Sequence, residues 1–200
     1  MDSKKRIGVI IQVLCFCLTI TSCSSGTPDS DTGKGSNTEV SVLFSAELPD
    51  CSAPPSNSVY LCRNNSLSTE DIIAVDVHLH SDAPVFGAAF DLLLDQSSVE
   101  VARKEDQTVD FSPPNPSQAG TQMWKHLFVA LNDDTLIIGA SRGRELGPLT
   151  GDIPVVTLKF KRHSGASPIY FSNNSIIDET GHPLEIAEDR WYGGYFTPER

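Results

Sequence analysis

From Glu39 onward the apolar residues of this chain fall into short runs, mostly alternating with polar ones and broken by Gly, Pro, Asn or Asp. A period of two places successive side chains on opposite faces, the mark of a half-buried strand. VSVLFSAEL (40–48) sets Val40, Val42 and Phe44 on one face. DIIAVDVHLHS (71–81) turns Ile73, Val75, Val77 and Leu79 inward and Ala74, Asp76, His78 and His80 outward. Further strands are predicted at 85–95, 99–104, 125–132, 135–141, 153–162, 168–172 and 190–196, with 125–132 and 135–141 paired as a hairpin across Asp133-Asp134. DCSAPPSNSVYLC (50–62) reads as a loop and NNSIIDETGHPL (173–184) as a turn region, while three prolines keep SPPNPSQAG (112–120) out of any ladder. No stretch of helical period with caps interrupts this series. Nine or so short strands at such spacing predict an all-β sandwich.

The N-terminus follows another pattern. MDSKKR is basic and is followed by a predominantly apolar run of 14 residues, Ile7 to Ile20. A spanning helix needs about 20 apolar residues, so this shorter run suits a secretory signal rather than a membrane span. It ends in Ile20-Thr21-Ser22-Cys23, which resembles a bacterial lipobox. That resemblance implies cleavage after residue 22 and acylation of Cys23, the expected anchor to the membrane. Ser24, rather than Asp, resembles the signal for outer-membrane sorting in an organism with two membranes. Residues 24–38, SSGTPDSDTGKGSNT, lack any apolar side chain and are expected to form a flexible tether. The expected organisation is therefore a signal at 1–22, anchor and linker at 23–38, and a sandwich domain at 39–197, exported and lipid-anchored to the cell envelope.

Charge narrows the partners. The chain carries -11 overall; residues 1–22 hold net +2, so the mature chain stands near -13. A chain so acidic, without a basic run, excludes nucleic acid as a partner and repels anionic headgroups. Of five cysteines, Cys15 and Cys17 leave with the signal and Cys23 is the anchor. Cys51 and Cys62 remain, and two leftover cysteines in an exported chain are expected to pair, free thiols being the alternative. Metal binding by the pair would need two more ligands, which the stretch does not offer.

Several segments together resemble the cohesin family. FDLLLDQSSVEV (90–101) is similar to the cohesin passage in which one strand turns into a V/L-E-V strand. GDIPVVTLKFKR (151–162) resembles a later G-x-hydrophobic strand ending in F-K, and IYFSNNSIIDETGHPLEI (169–186) a strand followed by D-x-x-G. WYGGYF (191–196) sits where that family closes with a Gly-containing strand, so the resemblance covers about 39–196. It implies a nine-stranded jelly-roll, non-catalytic, that docks dockerin modules of polysaccharide-degrading enzymes, and an architecture shared with carbohydrate-binding modules. It also implies a contact face on the sheet holding 85–95, 125–132, 135–141 and 168–172, with Asp91, Leu93, Asn132 and Arg142 as candidate contacts. Gly87 and Ala89 stand where dockerin-binding cohesins often carry outward Asn and Asp, and Leu94-Asp95-Gln96 lacks the usual aromatic and proline.

Asp76-x-His78-x-His80 puts two imidazoles on one strand face, as some zinc sites do. The family topology would flank them with Ser41 and Ser45 on one side and Thr157, Lys159 and Lys161 on the other. Lysines repel a cation, so no metal and no cofactor is expected. D-S-D-T-G fails the calcium-loop pattern, because Lys34 and Val40 fall where Gly and Glu are needed. GxSxG, HExxH, SxxK and a phosphate-cradling loop are missing, and Asp133-Asp134 suits a turn better than a glycosidase pair, so no catalytic residue is assigned. Asn64-Asn65-Ser66 and Asn173-Asn174-Ser175 read as turns. A polysaccharide is the alternative ligand, stacked on Trp124, Trp191 or Tyr195, with Trp124 expected to be the exposed ring; a structural subunit of an envelope assembly is the remaining alternative.

Overall fold

The computed structural model describes residues 42–114, 123–161 and 165–198. The expected signal at 1–22, Cys23 and the tether at 24–38 lie outside them. Two sheets face each other. In the first, β1 (Val42–Ala46), β13 (Gly194–Pro198), β10 (Ser167–Ile177), β4 (Gly87–Leu94), β8 (Thr135–Ser141) and β7 (His126–Asn132) lie side by side, with β11 (Pro183–Leu184) also on β10. In the second the order is β12 (Trp191–Tyr192), β2 (Ser58–Arg63), β3 (Ile72–Val85), β9 (Leu149–Lys161) and β5 (Glu100–Val101), with β6 (Phe111–Ser112) also on β9. Thirteen strands are described rather than nine; omitting the four of two residues leaves nine longer ones.

The core lies between the layers and follows the alternation. Phe90, Leu92, Leu136, Ile138 and Phe196 face inward from the first sheet; Val75, Val77, Leu79, Leu158 and Phe160 face them from the second. Phe196 joins the layers, 5.2 Å from Phe44 and 4.9 Å from Phe160 between ring centroids. Truncating such a ring costs about 3–5 kcal/mol, so the closing strand is integral to the core.

Four elements depart from the sequence reading. Ser58–Arg63 is a strand, not a loop, and five of its six residues are buried. Its core-facing Val59 and Leu61 are backed on the other side by Tyr60 and Cys62, which pack with Leu48 and, partly, Cys51 and Tyr192. The disulfide Cys51–Cys62, with Cα atoms 6.3 Å apart, closes this small second cluster. β3 is therefore flanked by β2 and β9, not by the strand that carries Ser45, whereas Thr157, Lys159 and Lys161 do stand across from Asp76, Ala74 and Ile72; Ser41 lies outside the described residues. β10 runs on to Ile177 through a bulge at Ser172–Ser175, where Asn173 takes φ 49°, so the Asn-Asn-Ser triplet kinks a strand instead of ending it.

The predicted 190–196 strand divides in two. Trp191-Tyr192 pair parallel with β2 in one sheet, while Gly194–Pro198 pair with β1 and β10 in the other. Gly193 makes the crossing possible: a Cβ there would stand 2.1 Å from the carbonyl oxygen of Ile169. Glu47 secures it, its backbone N–H donating to the Gly193 carbonyl while its carboxylate accepts from the Gly193 N–H at 2.7 Å.

Candidate functional site

The outer face of the first sheet is assembled by register. β10, β4, β8 and β7 are adjacent and antiparallel, so their outward residues form rows. One row runs Ile177, Gly87, Ser141, His126, and the next Ser175, Ala89, Gly139, Phe128. Then come Ser172, Asp91, Ile137, Ala130, and Tyr170, Leu93, Thr135, Asn132. The face continues to Tyr195, across from Pro168 on β10 and Ser45 on β1.

Large apolar side chains on this face are left in water. Phe128 is 59% exposed, Ile137 38%, Tyr170 51% and Tyr195 50%. Phe128 rises beside the side-chain-poor Gly87, Ala89 and Gly139, and between them opens an apolar depression of about 330 Å³ closed by His126 and Ile177. In the four rows Asp91 and His126 are the only acidic or imidazole side chains, and Asp91 accepts a hydrogen bond from Asn173 at 2.6 Å. The face is thus nearly uncharged on an acidic chain, with rings beside a hollow that an apolar knob would fill.

Three of the four residues expected as contacts, Asp91, Leu93 and Asn132, project from this face, Leu93 directly beside Tyr170. Arg142, just beyond β8, is occupied otherwise. Its guanidinium donates to the carbonyls of Met123, Leu146 and Gly147, tying the loop after β8 to the segment before β7. Alternation did not single out Phe128, Ile137, Tyr170 and the Gly87–Gly139 hollow; the signal in hindsight is an apolar residue at outward parity on each of four adjacent strands, Tyr170, Leu93, Ile137 and Phe128.

The three rings expected to stack a sugar lie in separate places, and Trp124, expected to be the exposed one, is buried. Trp124 is 4% exposed, and its indole N–H donates to the Pro154 carbonyl at 3.0 Å. That carbonyl lies where the β3–β9 register slips between Val77 and His78, so the core provides the polar partner a buried indole needs. Trp191 sits 5.4 Å from Phe171 and 6.3 Å from Phe90 between ring centroids, packed against the core, whereas Tyr195 points outward from the other sheet. Because the chain changes sheets at Gly193, the parity shared by Trp191 and Tyr195 in sequence means nothing in space.

The Asp76-x-His78-x-His80 face carries a polar network. The His78 ring stacks on Tyr60, centroids 5.2 Å apart and planes 19° apart. Its Nδ1 bonds Asp152 at 3.1 Å, and its Nε2 stands 4.0 Å from Asp76. Asp152 also accepts from the Tyr60 hydroxyl at 2.6 Å, and Asp76 from Thr157 at 2.5 Å and Asn64 at 2.9 Å. Burial alone would lower the His78 pKa, but the hydrogen bonds and charges of Asp152 and Asp76 outweigh it and raise it to about 9. Both carboxyls lie below their ordinary value: burial opposes this, and His78 with Thr157 and Asn64, or with Tyr60, overcomes it. Burial and the Asp152 bond push the Tyr60 phenol up. With both ring nitrogens turned to carboxylates, His78 is an imidazolium clamp between β3 and β9.

No family model matches the sequence, and no curated protein matches it. Solved structures do. A type II cohesin domain from the cellulosome of Acetivibrio cellulolyticus aligns with TM-score 0.50 and 11% identity, covering 65% of this chain and 88% of that one. A non-cellulosomal cohesin from the hyperthermophilic archaeon Archaeoglobus fulgidus aligns with TM-score 0.45 and 13% identity over 74% and 85%. The sixth cohesin of scaffoldin B from Acetivibrio cellulolyticus, solved with a mutant dockerin, aligns with TM-score 0.44 and 14% identity over 58% and 83%. The chain has a cohesin-like β-sandwich fold.

Proposed function

We propose that this chain is a non-catalytic binding module that holds a partner protein on the outer face of its seven-stranded sheet. One observation carries the proposal: of the five large hydrophobic side chains exposed among the described residues, four lie on this face. Contiguous exposed apolar surface on a soluble domain marks an interaction site. The cohesin-like fold and the motif resemblance support a dockerin-like module of a polysaccharide-degrading enzyme as the partner. The four adjacent strands that carry the face are those the resemblance implicates. The lipobox-like Cys23 supports an envelope lipoprotein in which the tether at 24–38 presents the module away from the membrane. If the organism has two membranes, the outer one is its place.

The test is capture from the secreted and envelope proteins of the producing organism on the immobilised full chain, with calcium and again with chelator. A protein bearing a duplicated calcium-loop module should be retained in calcium and released by chelation. Phe128→Asp or Ile137→Asp should weaken retention at least about 30-fold, the effect of roughly 2 kcal/mol lost at a buried contact. Equal retention by both variants would place the contact elsewhere. Lipidation is tested by labelled palmitate: the wild-type chain should incorporate it and Cys23→Ser should not.

A further inference from the structure

A second opening lies beside this face. On its edge away from β4, β10 pairs with β13 only through Ile169 and with β11 only from Ile176, so no described strand covers it between. The gap forms a groove of about 930 Å³, bridged by the segment from Pro183 to Trp191. Its walls carry the rings of Tyr170, Phe171 and Trp191, and its rim the side chains of Asn174, Glu185 and Glu188. Among the described residues no hydrogen bond or ion pair engages the Asn174, Glu185 or Glu188 side chains, which are exposed and turned to solvent chemistry only.

We infer that this groove binds a neutral glycan, with pyranose rings against Tyr170 and Trp191 and hydroxyls on Asn174, Glu185 and Glu188. Three features select that ligand. Aromatic faces pack on the CH side of a sugar, and hydroxyl groups need the planar acceptors and amide that the rim supplies. Two carboxylates without a basic partner in the groove exclude phosphates, acidic peptides and uronates. An extended peptide would need a regular strand edge to pair with, and the bulge at Ser172–Ser175 with Asn173 at φ 49° breaks that edge within the uncovered stretch of β10. The volume lies within the range of about 300–1,000 Å³ usual for ligand pockets. This site is separate from the protein-binding depression, with Tyr170 at the border between them.

The chain holds its own reporter, since it has two tryptophans and Trp124 is buried while Trp191 lines the groove. The experiment titrates the full chain with cellohexaose, xylohexaose, mannohexaose and chitohexaose, and with polygalacturonate and a basic peptide, reading tryptophan emission. At least one neutral oligosaccharide should give a saturable change, and Glu185→Gln and Glu188→Gln should each weaken it about tenfold, one charged hydrogen bond's worth. Asn174→Ala should do the same, and Phe128→Asp should leave the affinity unchanged. No saturable change with any neutral sugar would overturn the inference. So would unaltered affinity in the double Gln variant, tighter binding of polygalacturonate, a basic peptide saturating the same signal, or loss of the sugar in Phe128→Asp. Protein capture by the sheet face can fail without affecting any of these readings.

Discussion

Replacing His78 by Gln removes the one cation from between Asp76 and Asp152 while keeping a side chain that can still donate a hydrogen bond. The imidazole side chain is 19% exposed, and its pKa stands at about 9 against an ordinary 6.5. At about 1.4 kcal/mol per unit, that difference is on the order of 3 kcal/mol of stability. It belongs to the cluster as a whole, since the same contacts depress the two carboxyls. The sign follows from the direction of each shift. A group whose folded pKa is raised stabilises fully below its unfolded pKa, so the His78 contribution is complete below pH about 6.5 and fades as pH rises through about 9. Asp76 and Asp152, whose pKa values are depressed, contribute above their unfolded value of 3.8 and lose that contribution on acidification. Tyr60 stays neutral throughout, because its pKa is pushed up. The assay is urea unfolding at a series of pH values from about 4 to 10. Wild-type stability should fall by up to about 3 kcal/mol between pH 6.5 and 10, and that of His78→Gln should change far less over the same interval. Parallel curves for the two proteins would refute the assignment of the alkaline loss to His78.

Gly193→Ala should fail to fold or lose at least about 3 kcal/mol by urea titration, because the new methyl meets a backbone oxygen that cannot move without opening β10. Reducing Cys51–Cys62, or replacing both by Ala, should lower unfolding stability by about 3 kcal/mol through the freed loop of the unfolded chain, read as a shift in urea midpoint. Trp124→Phe should cost about 1–3 kcal/mol, because the Pro154 carbonyl keeps its burial and loses its donor, and the shift in urea midpoint will show it.

Where one face of a strand was wet and the other dry, the sequence was legible. β3 shows this, with Ile73, Val75, Val77 and Leu79 all fully buried, as does the hairpin of β7 and β8 across Asp133. Alternation disappeared where both faces are covered. Val59, Tyr60, Leu61 and Cys62 are all buried, two toward the core and two under the disulfide cluster, so β2 shows no period and hid inside what read as a cysteine loop. Ala74, expected to face solvent, is buried because the turn at Asn64–Thr69 folds over it, bonding its carbonyl and its N–H. Trp124 was misjudged from its charged neighbours Lys125 and His126, since exposure depends on the layer opposite and not on sequence neighbours. The outer face of the first sheet was half legible: parity gave Asp91 and Leu93, but Phe128 and Ile137 on the hairpin join Tyr170 in one surface only through β4 and β10, whose register with β8 spans distant parts of the chain.

The pairing of β1 has a mechanical consequence. Val42, where the described chain enters the domain, begins an edge strand whose one ladder among the described residues is five residues against β13. A domain held by its N-terminal side and loaded through a partner on β4, β7 and β8 would load that ladder together with the Glu47–Gly193 bonds that follow it. Phe44 is wedged there against Phe196, with its ring over Gly194. Under such a load β1 would be the first element to peel. Its loss would uncover Phe196 and the core while leaving β4, β7 and β8 paired, so the hold on such a partner would outlast the attachment at the N-terminal side.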